Sequence, residues 1–244
     1  MVDNAHGDAL GEALAAIVAE GGDEAPLRVC RAGVAALPID GAAITMMTAL
    51  DRQEPVCASD EVAGRIDELQ FTLGEGPCME AFESGRPVLI PDLKERVDRR
   101  WPVFSLHAQR TAARGLYVLP LQLGAIKVGV MDLYSLAPGG LPLKALTNAL
   151  RMADAAMWTL LDRRGDPKEG QAAYEAEVMT GLVDLPLHRA EIHQATGMIL
   201  AQTGVSAEQA LAMLRAYAFA NERPIDEVAR EVVARRLRLA GGTP

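Results

Sequence analysis

Residues 117–134 read Tyr117-Val118-Leu119-Pro120-Leu121-Gln122-Leu123-Gly124-Ala125-Ile126-Lys127-Val128-Gly129-Val130-Met131-Asp132-Leu133-Tyr134, two apolar runs around a two-residue turn. That arrangement predicts a β-hairpin, with Pro120, which cannot donate to a ladder, at an edge or a bulge. Upstream, Ala42–Met47 and Pro55–Ala58 read as two shorter strands joined across Asp51-Arg52. A half-buried sheet is the simplest reading of these two. Two helices precede them. Leu10, Leu14, Ala15 and Val18 recur at helical spacing over Asp8–Ala19 before Gly21-Gly22 stops the pattern, and a second helix runs from about Pro26 to Ala36. Downstream, Leu143, Leu146, Ala149, Leu150, Ala153, Met157 and Leu161 form one stripe that ends near Arg163-Arg164-Gly165.

Beyond Asp166–Gly170, the best linker candidate, every segment has helical character, beginning with Ala172–Val183. A helix over about Leu187–Gln202 has Asp184 placed to cap it, Pro186 in its first turn and Ile192, Ala195, Ile199 and Leu200 as its stripe. Ser206-Ala207-Glu208-Gln209 is a capping box that opens a second helix, with Ala210, Leu211, Leu214 and Ala218 inward. Pro224 opens the last, with Ile225, Val228, Ala229, Val232 and Val233 inward. The chain thus reads as α+β: an antiparallel sheet with helices over 8–164, a helical linker over 165–184 and a three-helix tail over 185–240.

Composition limits what such a chain does. Half of the 244 residues are hydrophobic and 23% are charged, as in a globular protein. The net charge of −9 argues against indiscriminate nucleic-acid binding, yet residues 187–244 carry seven basic and six acidic side chains, enough for a small basic face. Cys30, Cys57 and Cys78, spaced 27 and 21 apart, offer no zinc spacing and disfavour a disulfide framework, which fits a reducing, cytoplasmic location. No apolar run approaches a membrane span and the acidic N-terminus does not resemble a signal peptide, so neither membrane insertion nor secretion is expected. Walker loops, nucleophile elbows, zinc spacings and marked Ser, His, Asp groupings are lacking, so no enzyme is expected, and no cofactor or metal.

The stretch Arg189-Ala-Glu-Ile192-His-Gln-Ala195-Thr-Gly197-Met-Ile-Leu200, with Ser206, Ala210, Leu214-Arg215, Ala218 and Val228-Ala229, resembles the ANTAR domain, the RNA-binding antitermination module of bacterial regulators. Many members carry Lys or Arg where Thr196 stands; those behind a sensor domain in actinobacteria often read Gln-Ala-Thr-Gly, as here. The resemblance implies a dimer that occupies tandem RNA hairpins with six-base loops and prevents a terminator from forming. Small residues at Ala195 and Gly197 let RNA approach the helix, with donors from Arg189, His193, Gln194, Thr196, Arg215 and Arg223. The competing reading is that Ala195 and Gly197 serve helix packing and that Arg215 is a solvated surface residue.

Leu119-Pro120-Leu121, Gly124, Gly129–Leu133 and Tyr134-Ser135 resemble the last hairpin of a GAF domain. Gly74-Glu75-Gly76-Pro77-Cys78 with a helix through Phe82, then Pro87–Leu93, match GAF domains found ahead of ANTAR tails. The resemblance implies a sensor that holds a small molecule, a cofactor or nothing. Cys57, Phe71, Cys78 and Met79, with Trp101 and Phe104, are the pocket candidates, although residues of these types at such places are more often core. Cys78, after Pro77 at a helix start, is a candidate for a lowered thiol pKa and oxidant sensing. The Leu141–Leu161 stripe, continued through Ala172–Val183, predicts a homodimer. A DNA-binding regulator is the alternative, disfavoured by Asp226, Glu227 and Glu231 on the last helix.

Overall fold

The computed structural model describes residues 2–50, 52–95, 97–162 and 189–239; the linker read at 165–184, the Ala172–Val183 helix, Asp184, Pro186 and Leu187 lie outside the described residues. Two helices, α1 (Val2–Glu20) and α2 (Ala25–Ala36), precede the antiparallel pair β1 (Gly41–Ala49) and β2 (Arg52–Ala58). Then come α3 (Glu61–Leu73), α4 (Pro77–Ser84), β3 (Val88–Ile90) and α5 (Pro102–Ala108). The hairpin β4 (Gly115–Leu123) and β5 (Ile126–Ser135) turns at Gly124-Ala125, and α6 (Leu143–Asp162) ends this unit. The five strands run antiparallel in the order β2-β1-β5-β4-β3.

Helices cover both faces of this sheet, which corrects the half-buried reading for Ala42–Met47, while Pro55–Cys57 of the edge strand β2 are half-buried as expected. Gly41–Met47 of β1 and Val128–Ser135 of β5 are buried throughout, because β1, β4 and β5 lie between two apolar layers. On one face α1, α2 and α6 pack over Ile44, Leu119, Met131 and Leu133. On the other, α3, α4 and α5 pack over Ala43, Met47, Val118 and Val130. At Gly129 a Cβ would come within 2.2 Å of the Thr45 carbonyl oxygen, so only glycine permits this close pairing of β1 and β5. β3 pairs with β4 only as far as Val118, two residues before Pro120, so the strand has one unladdered side where the missing donor costs nothing.

The helical stripes are largely as expected, with instructive shifts. In α1 Leu10, Leu14 and Ile17 are buried while Ala15 is exposed. Ala149, Ala153 and Met157 of α6 pack into the core of their own chain, together with Met152, Ala156 and Leu160, so most of the stripe read as a dimer seam is already occupied. Leu143, Leu150 and Trp158 remain exposed on another row.

The tail comprises α7 (Ala190–Thr203), α8 (Ala207–Ala220) and α9 (Ile225–Val233) around Ile192, Ala195, Ile199, Ala210, Leu211, Leu214, Ala218, Ile225, Val228, Ala229 and Val232. Ser206 and Gln209 make the reciprocal hydrogen bonds of the capping box at 3.2 and 2.9 Å. Leu200, expected inside, is exposed, and Val233 is only partly buried. One member of this core belongs to the sheet unit: Phe71 of α3, which is fully buried among the tail's residues.

Candidate nucleic-acid interface

The helix α3 is built to hold cations. Asp60 caps it, accepting from the Val62 and Ala63 amides at 2.9 and 3.0 Å, and Gly74 ends it in the left-handed conformation at φ 67°. Along it Asp67 and Phe71 stand one turn apart and share a face, with Glu68 beside them. A carboxylate and an aromatic face together suit a guanidinium, which hydrogen-bonds in its plane and stacks across it.

Arg189, at the N-cap of α7, fills that place. Its Nη2 donates to Asp67 Oδ2 at 2.9 Å and Glu68 Oε2 at 3.3 Å, its Nη1 donates to the Gln53 carbonyl at 3.1 Å, and its guanidinium carbon lies 3.6 Å from the Phe71 ring centroid. Only 4% of Arg189 is exposed, so a charge that would be costly to bury alone is matched on every side. One turn along α7, His193 Nε2 lies 2.6 Å from Glu54 Oε1. From α8, the Arg215 guanidinium stands 4.9 Å from the Phe71 centroid and against Gly74, where a Cβ would meet its Nη1 at 2.9 Å. Three candidates for RNA contact therefore meet on β2 and α3, not on open surface.

Behind this junction a polar chain runs into the sheet unit. The Thr45 hydroxyl donates to Asp67. Gln70 donates to Asp132 Oδ2 at 2.7 Å and accepts from the Cys78 amide at 2.8 Å. Burial, with the Asp67 carboxylate adding to it, pushes the Asp132 carboxyl up to about 8.

The other RNA candidates separate. Gln194 and Gly197 are exposed one turn apart, and a Cβ on Gly197 would meet nothing within 4 Å. Ala195 and Thr196 are instead buried in the tail, and the Thr196 hydroxyl donates to the Ile192 carbonyl at 2.7 Å. Successive helical residues point about 100° apart, so the run 193–197 cannot present one face. The packing reading thus holds for Ala195 and fails for Gly197. Arg223 pairs within the tail, with Glu231 at 3.0 Å and Glu227 at 3.9 Å.

The pocket candidates do not line one cavity. Cys57 borders a cavity of about 400 Å³ together with Ala43, Gly64, Asp67, Glu68 and Arg189. Phe71 belongs to the junction, while Cys78, Trp101 and Phe104 are core residues between α3, α4, α5 and the sheet, with Met79 packed against them. Burial foremost, then the Asp132 and Asp67 carboxylates, push the Cys78 thiol well above its ordinary value, which overturns the expected lowered pKa. In the same motif Glu75 accepts from the Phe104 amide at 2.6 Å and so caps α5. Among the described residues no group of three or more His, Cys, Asp or Glu is placed to hold a metal, and no helix is long and apolar enough to cross a membrane. Gln53, Glu54, Asp67 and Glu68 were not legible as site residues; they lie 121–139 positions from their partners, with no local motif to mark them.

The model of the GAF domain matches residues 27–161 and that of the ANTAR domain matches residues 186–233. No curated protein matches significantly. Among solved structures, the chain is similar to the GAF domain of a phosphoenolpyruvate-protein phosphotransferase from Coxiella burnetii, with 12% identity, 68% of this chain and 98% of that one covered, and a TM-score of 0.48. A domain of a two-component sensor histidine kinase protein from Sinorhizobium meliloti shows 17% identity over 63% of this chain and 95% of that one, TM-score 0.45. Free methionine-R-sulfoxide reductase from Neisseria meningitidis shows 16% identity over 70% and 93%, TM-score 0.45. These likenesses carry nothing about function. The family matches do: a GAF domain is a sensory module and an ANTAR domain an RNA-binding one, and this chain, which joins the two, belongs to the GAF-ANTAR regulators.

Proposed function

We propose that this chain is a transcription antitermination regulator whose tail, as a dimer, binds tandem hairpins with six-base loops in nascent RNA and thereby blocks a terminator, and whose GAF domain controls that binding. The observation that carries the reading is the division of the tail's candidate contacts. Gln194 and open-faced Gly197 stand ready for an RNA backbone or a splayed loop base, while Arg189, His193 and Arg215 are held by Asp67, Glu68, Glu54 and Phe71 of the sensor. Full RNA engagement needs those side chains, so it requires the tail to leave the sensor, and the conformation described is the closed one. A signal acts by favouring the separated state. The exposed row Leu143, Leu150 and Trp158 on α6 supplies the dimer contact.

The test is a titration of the full chain into labelled RNA with two six-base-loop hairpins at two salt concentrations, beside a loop-scrambled RNA and a duplex DNA. Loop-dependent binding that weakens with salt and is lost in Gly197→Leu supports the reading. Equal affinity for all three, or preference for the duplex, refutes it.

A further inference from the structure

Two of the three cysteines touch. Cys30 on α2 and Cys57 on β2, 27 residues apart in sequence, have their sulfur atoms 3.8 Å apart. Their exposures differ in a useful way: Cys30 is wholly buried, while Cys57 is half-buried and borders the 400 Å³ cavity. Cys57 is therefore the sulfur that a small oxidant from solvent reaches first, with Cys30 packed against it. β2 is an edge strand, paired only with β1, and that pairing shifts register between Cys57 and Pro55, so the ladder that holds the strand is interrupted beside Cys57. We propose that Cys30 and Cys57 form a peroxide-responsive disulfide site.

The chemistry closes without a cofactor. The Cys57 thiolate attacks one oxygen of hydrogen peroxide, the O–O bond breaks, and Cys57 becomes a sulfenic acid as hydroxide leaves and is protonated to water. The Cys30 sulfur then attacks the Cys57 sulfur; the S–O bond breaks, an S–S bond forms, and the hydroxyl leaves as water with the Cys30 proton. Two thiols lose two electrons and two protons, and one peroxide becomes two waters. The hydrogen bond with Cys57, followed by burial, pushes the Cys30 thiol well up, so the first step falls to the more exposed Cys57. Closing the sulfurs from 3.8 Å to about 2.05 Å draws Cys57 toward α2 by up to roughly 1.8 Å.

That movement reaches the tail. β2 also carries Gln53, whose carbonyl accepts from Arg189, and Glu54, which pairs with His193. Oxidation thus disturbs two of the contacts that keep the tail closed. This second limb rests on the antitermination reading; the disulfide itself does not.

The experiment uses the reduced full chain, treated with a few equivalents of hydrogen peroxide, denatured, alkylated and weighed intact. The expected result is one alkyl adduct, on Cys78, in place of three, a mass loss of about 2 Da, and a Cys30–Cys57 cross-linked peptide. Cys57→Ser abolishes the product and Cys78→Ser does not. Three adducts after treatment, or a Cys57 sulfinic acid without a cross-link, overturns the proposal. The oxidised chain is then titrated with hairpin RNA and is expected to bind several-fold more tightly, reversibly with dithiothreitol and not in Cys57→Ser. A disulfide with unchanged RNA affinity refutes the coupling alone; no RNA binding in either state refutes the antitermination reading and leaves the disulfide standing.

Discussion

Asp67→Asn tests the closed state most directly, because Asp67 belongs to the sensor and has no part in RNA contact. Its side chain is 9% exposed and pairs at 2.9 Å with Arg189, 4% exposed. Removing one member of a buried pair costs about 3–5 kcal/mol. Glu68 remains at 3.3 Å, but its side chain is 43% exposed, so solvent screening leaves it worth no more than about 1 kcal/mol. The asparagine oxygen still accepts from Thr45, while its amide meets the guanidinium donor to donor. The closed state thus loses roughly 2–4 kcal/mol relative to the open one, where Arg189 is solvated. At about 1.4 kcal/mol per decade, the closing constant falls roughly thirty- to several-hundred-fold. Apparent RNA affinity rises by the same factor up to a ceiling set by the wild-type closing constant. Fluorescence anisotropy with labelled tandem-hairpin RNA should show the full-length variant binding at least about tenfold more tightly than wild type. A folded variant, by its thermal melt, with equal or weaker affinity would refute the reasoning. Arg189→Ala is the poorer test, since it removes a candidate RNA contact together with the lock.

Three further outcomes follow from the geometry. Gly197→Leu adds a side chain where a Cβ meets nothing and removes a helical glycine worth about 1 kcal/mol, so its Tm should equal or exceed wild type while RNA binding is lost; a clear drop in Tm would return Gly197 to a packing role. Asp132, raised to about 8 by burial and Asp67, holds in the folded state a proton that the unfolded chain gives up near 3.9. Its stabilising contribution is therefore complete below about pH 4 and is lost as pH rises toward 8, at up to about 1.4 kcal/mol per unit. Asp132→Asn should flatten that slope and melt above wild type at pH 8, with a narrower gap at pH 5; parallel pH profiles would count against the assignment. A Leu150→Glu, Trp158→Glu double variant should run at the mass of one chain in light scattering where wild type runs at two, and an unchanged mass would move the dimer contact off this row.

Much of the architecture was legible because it is locally encoded. The two-residue turn between Leu123 and Ile126, the capping box at Ser206, Pro224 before the last helix and the stripe of α6 each set an element through neighbours within a few positions. The α5 helix was not read: its seven residues are too few for a periodic pattern, and Glu75, which caps it, lies 29 positions from Phe104. The site was legible only in part. A motif assigns residue types to a helix, but Gln194 to Gly197 turn through a full circle, and which of them meets water depends on what packs against the helix.

Local pattern encodes the α+β front and the three-helix tail, since helical and strand periodicity and capping chemistry act over a few residues, while the two family resemblances rest on motif residues. Long-range packing settles that both sheet faces are covered, that Cys30 meets Cys57, and that Arg189, His193 and Arg215 turn to Asp67, Glu68, Glu54 and Phe71. The reason is one of range. A buried guanidinium takes whatever carboxylate and ring the fold delivers to it, and here they come from more than 115 positions away, beyond anything a local pattern records.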